Sequence, residues 1–543
     1  MSVRSDASGG PAGMTGAAKR VLVTLSAGQF LMALDSSVMN VSIATVAKDV
    51  GTSVTGIQGA ITAYTLVMAV LMIPGGKVGA LIGRKRAFMI GCVIYGCGSL
   101  TTALAQNLPT LLVGWSFLEG VGAALIMPAI VALVAGNFAE ARRPAAYGLV
   151  AAAGAVAIAL GPLIGGVATT YFSWRWVFAG EVLVVLGILA LARAVADAPT
   201  GRRPRIDVVG ALLSGLGLGV FVFGVLRTGE WGWFQPKPGQ PSWFGLSPVV
   251  WLMLGGVLVL WIFLHWEEHL VAKGGEPLLD LAMFANRQLT GGLTMFFFWY
   301  LVQMGVFFIV PLYLSVALGL SALMTGARIL PLSLTLLLAA VGVPRMLPKA
   351  SPRAVVRFGV LAMVAGVVVL LAALDVGSGA EVTTVPLLLV GLGMGALASQ
   401  LGAVTVSAVP DDRSAEVGGI QNTVTNLGAS LGTALAGSVM IGVLTASFLT
   451  NIENSPAVPA TVKSQATAQL SGGIPFVSDA QLRDALTQAG ANSELTQTAL
   501  DANDNAQIDG LRAALAILAV AGLTGLFFVH RIPTEPVSAQ KAG

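Results

Sequence analysis

Long apolar runs separated by short polar breaks repeat along almost the whole chain, and this repetition restricts the folds open to it. A helix that crosses a bilayer needs about 20 predominantly apolar residues, and the 543-residue sequence contains fourteen runs of that kind. Backbone groups in lipid must pair within their own segment, so each run predicts a transmembrane helix. The predicted spans are 21–46, 57–79, 87–106, 109–135, 145–171, 174–196, 207–227, 247–268, 290–316, 321–347, 354–375, 383–408, 417–447 and 511–530.

The composition agrees with an all-α membrane protein and argues against a soluble one. Hydrophobic residues make up 55% of the chain and charged residues only 10%, whereas soluble domains carry about 25% charged residues. The net charge of +4 comes from basic residues in short loops beside apolar runs, so no nucleic-acid partner is predicted. The two cysteines, Cys92 and Cys97, lie in one run at a spacing that predicts neither a disulfide nor a metal site.

Basic residues are concentrated in every second loop between the predicted spans, so they lie on one side of the membrane, and this pattern orients the chain. Loops on the cytoplasmic side retain lysine and arginine. With an even number of spans, both termini are therefore predicted to be cytoplasmic, as tails over 1–20 and 531–543. The residues that carry this signal are Arg84, Lys85, Arg86, Arg202, Arg203, Arg205, Arg287, Arg345, Lys349, Arg353 and Arg357.

One predicted connection is far longer than the others. Residues 448–510 are polar and rich in Ala, Thr, Gln, Asn and Ser, and on this topology they form an extracytoplasmic loop. Within it, residues 478–490 begin with a capping serine and carry leucines at helical spacing, which predicts a short surface helix. The segment is interpreted as a plain exported loop, with a functional lid as the alternative.

The loop between the second and third spans carries a recognisable motif, GGKVGALIGRKR. It resembles the G-x-L-x-D-x-x-G-R-K/R loop of the major facilitator superfamily. Ala80 stands where that family has an aspartate, so the role of that acid cannot be carried over. The residues that match the motif are Gly76, Val78, Gly83, Arg84 and Lys85.

Two more segments resemble the fourteen-helix drug:proton antiporters of that superfamily. In the first span, LDSSVMNVSIA matches the family signature at Asp35 and Asn40. In the fourth span, Ser116 replaces the arginine that the family carries. The fifth span matches the antiporter glycine–proline motif, and its glycines share a helical face that would let a neighbouring helix approach closely while the proline bends the segment. The matching residues are Gly154, Gly161, Pro162, Gly165 and Gly166.

The resemblance implies the major facilitator fold, with fourteen transmembrane helices. Two six-helix bundles are expected over 21–196 and 290–530, with two inserted transmembrane helices over 207–268. The family's substrate cavity lies between the bundles, and transport proceeds by rocking one bundle against the other.

Three acids lie inside predicted spans, where a carboxylate costs on the order of 2.5–3.5 kcal/mol. They are Asp35, Glu119 and Glu181. The family fold places the first and fourth spans at the central cavity, so Asp35 and Glu119 are the stronger proton-coupling candidates and Glu181 is the weaker. Burial favours the protonated carboxyl, and an acid-rich cavity would attract protons and cations. The alternative is a structural carboxylate bonded to a neighbouring Ser, Tyr or Trp.

Further polar and aromatic residues in the spans are candidates for substrate binding. Aromatic rings would stack on an apolar substrate, and amides would bind its polar groups. Core packing, lipid contact and hydrogen bonds between helices explain such residues equally well. The candidates are Asn40, Trp115, Phe298, Trp299, Gln303, Gln400, Gln421 and Asn422.

The sequence thus predicts a secondary active transporter. The expected activity is proton-coupled antiport that exports lipophilic or cationic drugs or amphiphiles by alternating access. The alternatives are a lipid or glycolipid flippase and an exporter of an endogenous metabolite. No enzyme is predicted, because the sequence offers no phosphate-binding loop, metal cluster or nucleophile–base pair.

The predicted transport function also implies where the protein is located and which partners it has. The protein is expected to be a multi-pass monomer in a bacterial inner membrane, with protons and a small molecule as its partners. It should need no cofactor, because the proton gradient supplies the energy.

Overall fold

The computed structural model of the chain is almost entirely helical. It describes residues 16–138, 143–193, 195–197, 207–237, 239–347, 349–409, 414–456, 458–460, 463–464, 470, 474–488 and 491–535. Within these ranges, the extended pairing is an isolated bridge between Trp243 and Leu246. The prediction of an all-α protein is confirmed.

Fourteen long helices in the described ranges coincide in position with the fourteen predicted spans. They are α1 (Gly16–Asp49), α2 (Val54–Ile82), α3 (Arg84–Ala103), α4 (Leu108–Asn137), α5 (Arg143–Tyr171), α6 (Arg175–Ala192), α7 (Val208–Trp231), α8 (Pro248–Ala272), α9 (Arg287–Leu312), α10 (Ala322–Met346), α11 (Pro352–Ala373), α12 (Thr384–Val406), α13 (Ser414–Asn454) and α15 (Ser493–Leu526). A short helix, α14 (Asp479–Gln488), precedes the last of them.

Thirteen of these long helices, as described, are long and apolar enough to cross a bilayer. The remaining one, α3, has 20 residues, begins with Arg84, Lys85 and Arg86, and contains several Gly, Ser and Thr residues. Its neighbours α4 and α6 pack along it within the first bundle, and its Ser99 and Thr102 are buried.

The polar segment before the last span is more helical than the sequence suggests. The helix predicted over 417–447 continues to Asn454, and the helix predicted over 511–530 begins at Ser493. The connection predicted over 448–510 is correspondingly shorter. This polar sequence is helical because one face of the helix packs against protein: Asn503 and Gln507 are buried beside alanines of α15.

The short helix predicted over 478–490 is present as α14. Gln481 donates its backbone N–H to Ser478 Oγ at 3.4 Å, and its side-chain oxygen accepts from the backbone N–H of Ser478 at 3.0 Å, which is a capping box. The amide of Gln507 donates to the carbonyl of Val477 at 2.7 Å, and Asn503 donates to Asp479 at 3.2 Å. These bonds hold α14 against α15.

The long helices form two bundles and an inserted pair, as the resemblance implies. Helices α1 to α6 form the first bundle, and α9 to α13 with α15 form the second. The bundles meet along two seams: α2 packs along α13, and α5 packs along α10. The inserted helix α7 packs on α2, α13 and α8, so it lies over the α2–α13 seam, while α8 reaches the bundles chiefly through α7.

Candidate functional site

The three membrane acids meet inside the first bundle. Asp35 on α1, Glu119 on α4 and Glu181 on α6 are at most 2% exposed. One oxygen from each lies within 4.8 Å of the others. We call these three residues the acid cluster. Its two glutamates come from helices that both pack on α3.

Close packing of α3 against α4 positions Glu119. Residues Leu112–Glu119 of α4 form a π-helical segment, a local widening that occurs often at functional sites. A Cβ on Gly98 of α3 would lie 2.6 Å from Glu119 Cγ and 2.8 Å from the Gly114 carbonyl oxygen. A larger residue at 98 would therefore displace Glu119.

Each acid accepts one hydrogen bond from a neutral donor. Trp115 Nε1 donates to Asp35 Oδ1 at 2.8 Å. The hydroxyl of Thr102 donates to Glu119 Oε1 at 3.0 Å, and the hydroxyl of Ser99 donates to Glu181 Oε2 at 3.0 Å. The second oxygen of each acid is buried without a hydrogen-bond partner among the described residues.

Two tyrosines complete the surroundings of the cluster. The hydroxyls of Tyr64 and Tyr95 lie beside the Asp35 carboxyl, but both are buried and lack hydrogen-bond geometry to a described group. The ring of Tyr64 stacks on Trp115 with centroids 5.0 Å apart. Sequence reasoning missed both tyrosines; a phenol within an apolar span was the available signal.

The cluster cannot carry three negative charges. At 4.8 Å, two unit charges repel by about 3.5 kcal/mol even at an effective dielectric constant of 20. None of the described ion pairs involves these acids. The site must therefore hold protons or a cation. Carboxylate and hydroxyl oxygens suit a proton, and they are also donors for a hard metal ion.

Ser116 stands where the family has an arginine in the fourth span, and it makes an uncharged hydrogen bond between two helices. Ser116 is buried, and its hydroxyl donates to the carbonyl of Ala60 on α2 at 2.9 Å. Its neighbour Trp115 is the residue that reaches Asp35. The acid cluster consequently lies beside a serine rather than beside a permanent positive charge.

A separate small cavity lies between the two bundles, and the acids do not line it. Its described lining comes from α1, α5, α9, α10 and α12 and is apolar apart from Ser37 and Asn40. The lining residues are Ser37, Asn40, Val41, Pro162, Val306, Phe307, Val310, Pro311, Ile329, Leu332 and Leu387. Asp35 and Glu119, which were expected at the central cavity, do not line this cavity; both point into the first bundle and join Glu181 there.

The predicted substrate residues divide into two groups. Asn40 lines the cavity, and Trp299 and Gln303 precede Val306 and Val310 at helical spacing on α9. The others lie elsewhere: Trp115 is at the acid cluster, Phe298 packs on Gly525 and Phe528, Gln400 donates to Ser399, and Gln421 and Asn422 are half-buried on α13.

The glycine motif of α5 serves two contacts rather than one. Cβ atoms on Gly154, Gly161 and Gly165 would meet Gln29, Ser37 and Val38 of α1, within the same bundle. The contact with the second bundle is made by Pro162 and Gly166. A Cβ on Gly166 would lie 2.7 Å from the Ala322 carbonyl oxygen, and the Pro162 carbonyl oxygen would lie 2.0 Å from a Cβ on Gly326.

Polar contacts reinforce both seams near the side where α1 ends. The amide of Gln58 on α2 donates to the Thr433 carbonyl of α13 at 3.1 Å, and the hydroxyl of Ser430 donates to the Thr62 carbonyl at 3.2 Å. At the other seam, the backbone N–H of Leu323 donates to the hydroxyl of Thr170 at 3.0 Å.

The motif loop between α2 and α3 is held by an acid that the motif does not contain. Gly83 has a φ of +102°, and Arg84 donates to the Gly76 carbonyl at 2.7 Å. Asp197, which follows α6, accepts from the backbone N–H of Lys85 at 2.9 Å. A carboxylate at a helix N-terminus is favourable, so Asp197 supplies a negative charge to the loop in which Ala80 replaces the family's aspartate.

We expect Asp197→Ala to lower the free energy of unfolding by about 0.3–1 kcal/mol, the usual contribution of an exposed carboxylate at a helix N-terminus. Thermal unfolding of the purified protein measures the effect. Asp197→Asn keeps a capping oxygen and should recover most of the stability. Equal melting temperatures for the alanine variant and the parent would contradict this role.

The comparisons with known proteins agree with the fold and the motifs. The model of the Major Facilitator Superfamily matches residues 25–433. A puromycin resistance protein of Streptomyces alboniger is 32% identical, over 80% of this chain and 84% of its own length. A probable actinorhodin transporter of Streptomyces coelicolor is 29% identical, over 76% and 70% of the two chains.

Among solved structures, a bacterial homologue of the human lysosomal transporter Spinster superposes with a TM-score of 0.59 at 14% identity. The match covers 96% of this chain and 98% of that one, which shows a shared fold. With the family match over residues 25–433, the paired bundles and the loop motif, this chain belongs to the major facilitator superfamily of membrane transporters.

Proposed function

We propose that this transporter exports a small organic molecule in exchange for protons, and that the acid cluster is its proton site. The observation that carries the proposal is three buried carboxyls within 4.8 Å of one another, with neutral hydrogen-bond donors and no described ion pair. Protons relieve their mutual repulsion without a permanent counter-charge. Each proton moved down a membrane potential supplies about 2.3 kcal/mol per 100 mV.

Helix α1 is the element that would couple the proton to the substrate. Asp35 points from α1 into the first bundle, whereas Ser37, Asn40 and Val41 face the cavity between the bundles. A change of charge at Asp35 alters the bonds that hold α1 to Trp115 on α4. We propose that this shift of α1 changes the cavity wall and the α1–α5 contact next to the α5–α10 seam.

The relatives support export as the direction of transport. The two relatives described above are named a puromycin resistance protein and a probable actinorhodin transporter. We propose that resistance by a membrane transporter means removal of the toxic molecule from the cell. We extend that role to this chain, with both termini in the cytoplasm of a bacterial cell, a monomer as the working unit and no cofactor.

Proton release by everted membrane vesicles tests the proposal. Vesicles that contain the wild-type protein are acidified inside, and puromycin is added while the internal pH is recorded with a fluorescent probe. We expect internal protons to leave as puromycin enters, with no response in vesicles from cells that lack the protein. Nigericin, which collapses the pH gradient, should stop the uptake.

Two results would overturn the proton assignment. Puromycin uptake that survives nigericin and requires Na⁺ or Mg²⁺ instead would make the cluster a metal-cation site. The absence of both uptake and proton movement, with puromycin and with a panel of other antibiotics, would remove the export proposal itself.

A further inference from the structure

Two acids outside the acid cluster lie where the inserted pair begins and ends. Asp207 precedes α7 and caps it, because its Oδ1 accepts from the backbone N–H of Gly210 at 3.0 Å. Glu267 lies near the end of α8, and its side chain is fully buried. Asp207 is itself only 7% exposed. The inserted pair therefore carries two buried acids at one end, far along the chain from each other.

The two carboxyls lie against each other. A Cβ on Gly210 would clash with both Asp207 Oδ2 and Glu267 Oε1, so these oxygens are close neighbours. Trp266 Nε1 donates to both oxygens of Asp207, at 3.1 and 3.0 Å. Glu267 Oε2 accepts from the backbone N–H of Leu279 at 3.0 Å, whereas its Oε1 is buried with no hydrogen-bond partner among the described residues. A buried carboxylate oxygen beside a second carboxylate lacks a proton between them, because two acceptors cannot bond to each other.

One positive group faces this carboxyl pair. Lys77 of α2 lies near Glu267, and its ammonium donates to the carbonyl of Pro277. In the part of the chain that the structure describes, the charged side chains that face Glu267 are Asp207 and Lys77. Lys77 offsets one of the two negative charges, and a proton shared by the two carboxyls would offset the other.

Glu267 also holds the segment that connects the inserted pair to the second bundle. We call residues 273–286 the linker; it contains a 3-10 turn at Leu281–Ala285. The linker packs in an apolar cluster at the end of the α2–α13 seam next to the motif loop, so it covers that end. Members of this cluster are Leu279 and Met283 of the linker, Ile73 of α2, and Val417 and Ile420 of α13.

We infer that Asp207 and Glu267 bind one proton between them, and that this proton latches the linker over the α2–α13 seam. With the proton, Glu267 Oε1 donates to Asp207 Oδ2 while Oε2 keeps the N–H of Leu279. Without it, the two buried carboxylates repel, Glu267 moves away from Asp207, and the linker loses its anchor. The latched arrangement binds the proton more tightly than the released one, so a fall in pH on this face favours the latch.

The latch regulates transport and is separate from the acid cluster that carries the coupled proton. In the orientation proposed above, antiport delivers protons to the cytoplasm, which is also the compartment from which this pair takes its proton. Acidification of the cytoplasm would tighten the latch, hold α2 and α13 together at this end and slow the entry of further protons. This regulatory consequence rests on the proposed function, whereas the proton site and the latch do not.

Cysteine accessibility tests the latch. In the purified full-length protein with Cys92 and Cys97 replaced by alanine, Met283→Cys probes a buried position of the linker and Ala282→Cys an exposed one beside it. Each variant is labelled with a polar maleimide, and the ratio of the two rates at each pH corrects for ionisation of the thiol. We expect the ratio of the rate at position 283 to that at 282 to rise at least about fivefold from about pH 6 to about pH 8, because loss of the proton releases the linker.

Two variants should remove this pH dependence. Glu267→Gln offers an amide N–H to Asp207 at every pH, and Asp207→Asn offers one to Glu267 while it retains an oxygen to cap α7. In both, the labelling ratio should stay at the low value that the parent has in acid. Glu268→Gln changes the exposed neighbour of Glu267, and it is the matched control that should respond to pH as the parent does.

Infrared difference spectra between the same two pH values detect the proton itself. We expect the parent and Glu268→Gln to lose a protonated-carboxyl band as the pH rises, and that band should be missing from Glu267→Gln. The same band in Glu267→Gln would overturn the shared proton. A labelling ratio that does not change with pH in the parent, or that still changes in Glu267→Gln, would overturn the latch. Neither experiment uses a substrate or a proton gradient, so this inference and the proposed antiport fail separately.

Discussion

Replacing Asp35 by asparagine is expected to abolish substrate-driven proton release while the protein still folds and inserts. Asparagine retains an oxygen that accepts from Trp115 Nε1, now 2.8 Å from Asp35 Oδ1, but it cannot exchange a proton. The uphill accumulation of puromycin inside everted vesicles should fall at least about tenfold, which corresponds to about 1.4 kcal/mol of lost driving force or more. Exchange of labelled for unlabelled substrate, which needs no net proton movement, should continue.

The other two acids provide graded comparisons. Glu119→Gln and Glu181→Gln each leave two carboxyls close together, so each should reduce proton release. Because the three groups share protons, adding either change to Asp35→Asn should make proton release little worse than Asp35→Asn does alone. Glu268→Gln, an exposed acid on α8, is the control and should behave as the parent does. Full proton release by the Asp35→Asn protein would place the proton site elsewhere.

Adding one methyl group at Gly326 is expected to break the contact between α5 and α10. The Cβ of an alanine there would lie 2.0 Å from the Pro162 carbonyl oxygen. Because the clashing group is backbone, no flexible side chain can move aside to relieve the contact. The helices must separate by more than an ångström, and such overpacking costs about 1–3 kcal/mol. Transport should fall about tenfold or more because the arrangement closed at this seam is lost.

Cross-linking measures that loss directly. With Cys92 and Cys97 replaced by alanine, cysteines at Thr170 and Leu323 flank the seam and should form a disulfide readily. Gly326→Ala should lower the yield of this cross-link. Gly342→Ala, on the same helix with its nearest neighbour at 4.0 Å, should leave both the yield and transport unchanged. An unchanged yield in Gly326→Ala would show that the seam does not control closure.

Much of this architecture can be predicted because lipid imposes a strong pattern on sequence. Each span needs its own apolar run, so the number and position of the long helices follow from the chain alone. Acids in such runs are rare and costly, which is why Asp35, Glu119 and Glu181 stand out against the apolar residues around them. The helices that extend beyond the membrane, such as the first half of α15, lack this pattern and were missed.

What the sequence leaves undetermined is which face of each helix meets which neighbour. Asp35 and Asn40 are five residues apart on α1, so helical spacing places them on different faces, but it does not say that Asp35 meets the first bundle and Asn40 the cavity. The bulge in α4 at Leu112–Glu119 changes the direction of Glu119 in a way that no regular helical spacing predicts. Ser99, Thr102, Tyr64 and Tyr95 became meaningful only once α2 and α3 were placed beside these acids.

The inserted pair gives the molecule two unlike flanks. Helix α7 packs on both α2 and α13, whereas no described helix from outside the two bundles packs across α5 and α10. An apolar molecule that entered the gap between the bundles directly from the bilayer would therefore meet helix α7 on one flank and the α5–α10 contact alone on the other. Any such entry would then be one-sided, although the two bundles are built alike.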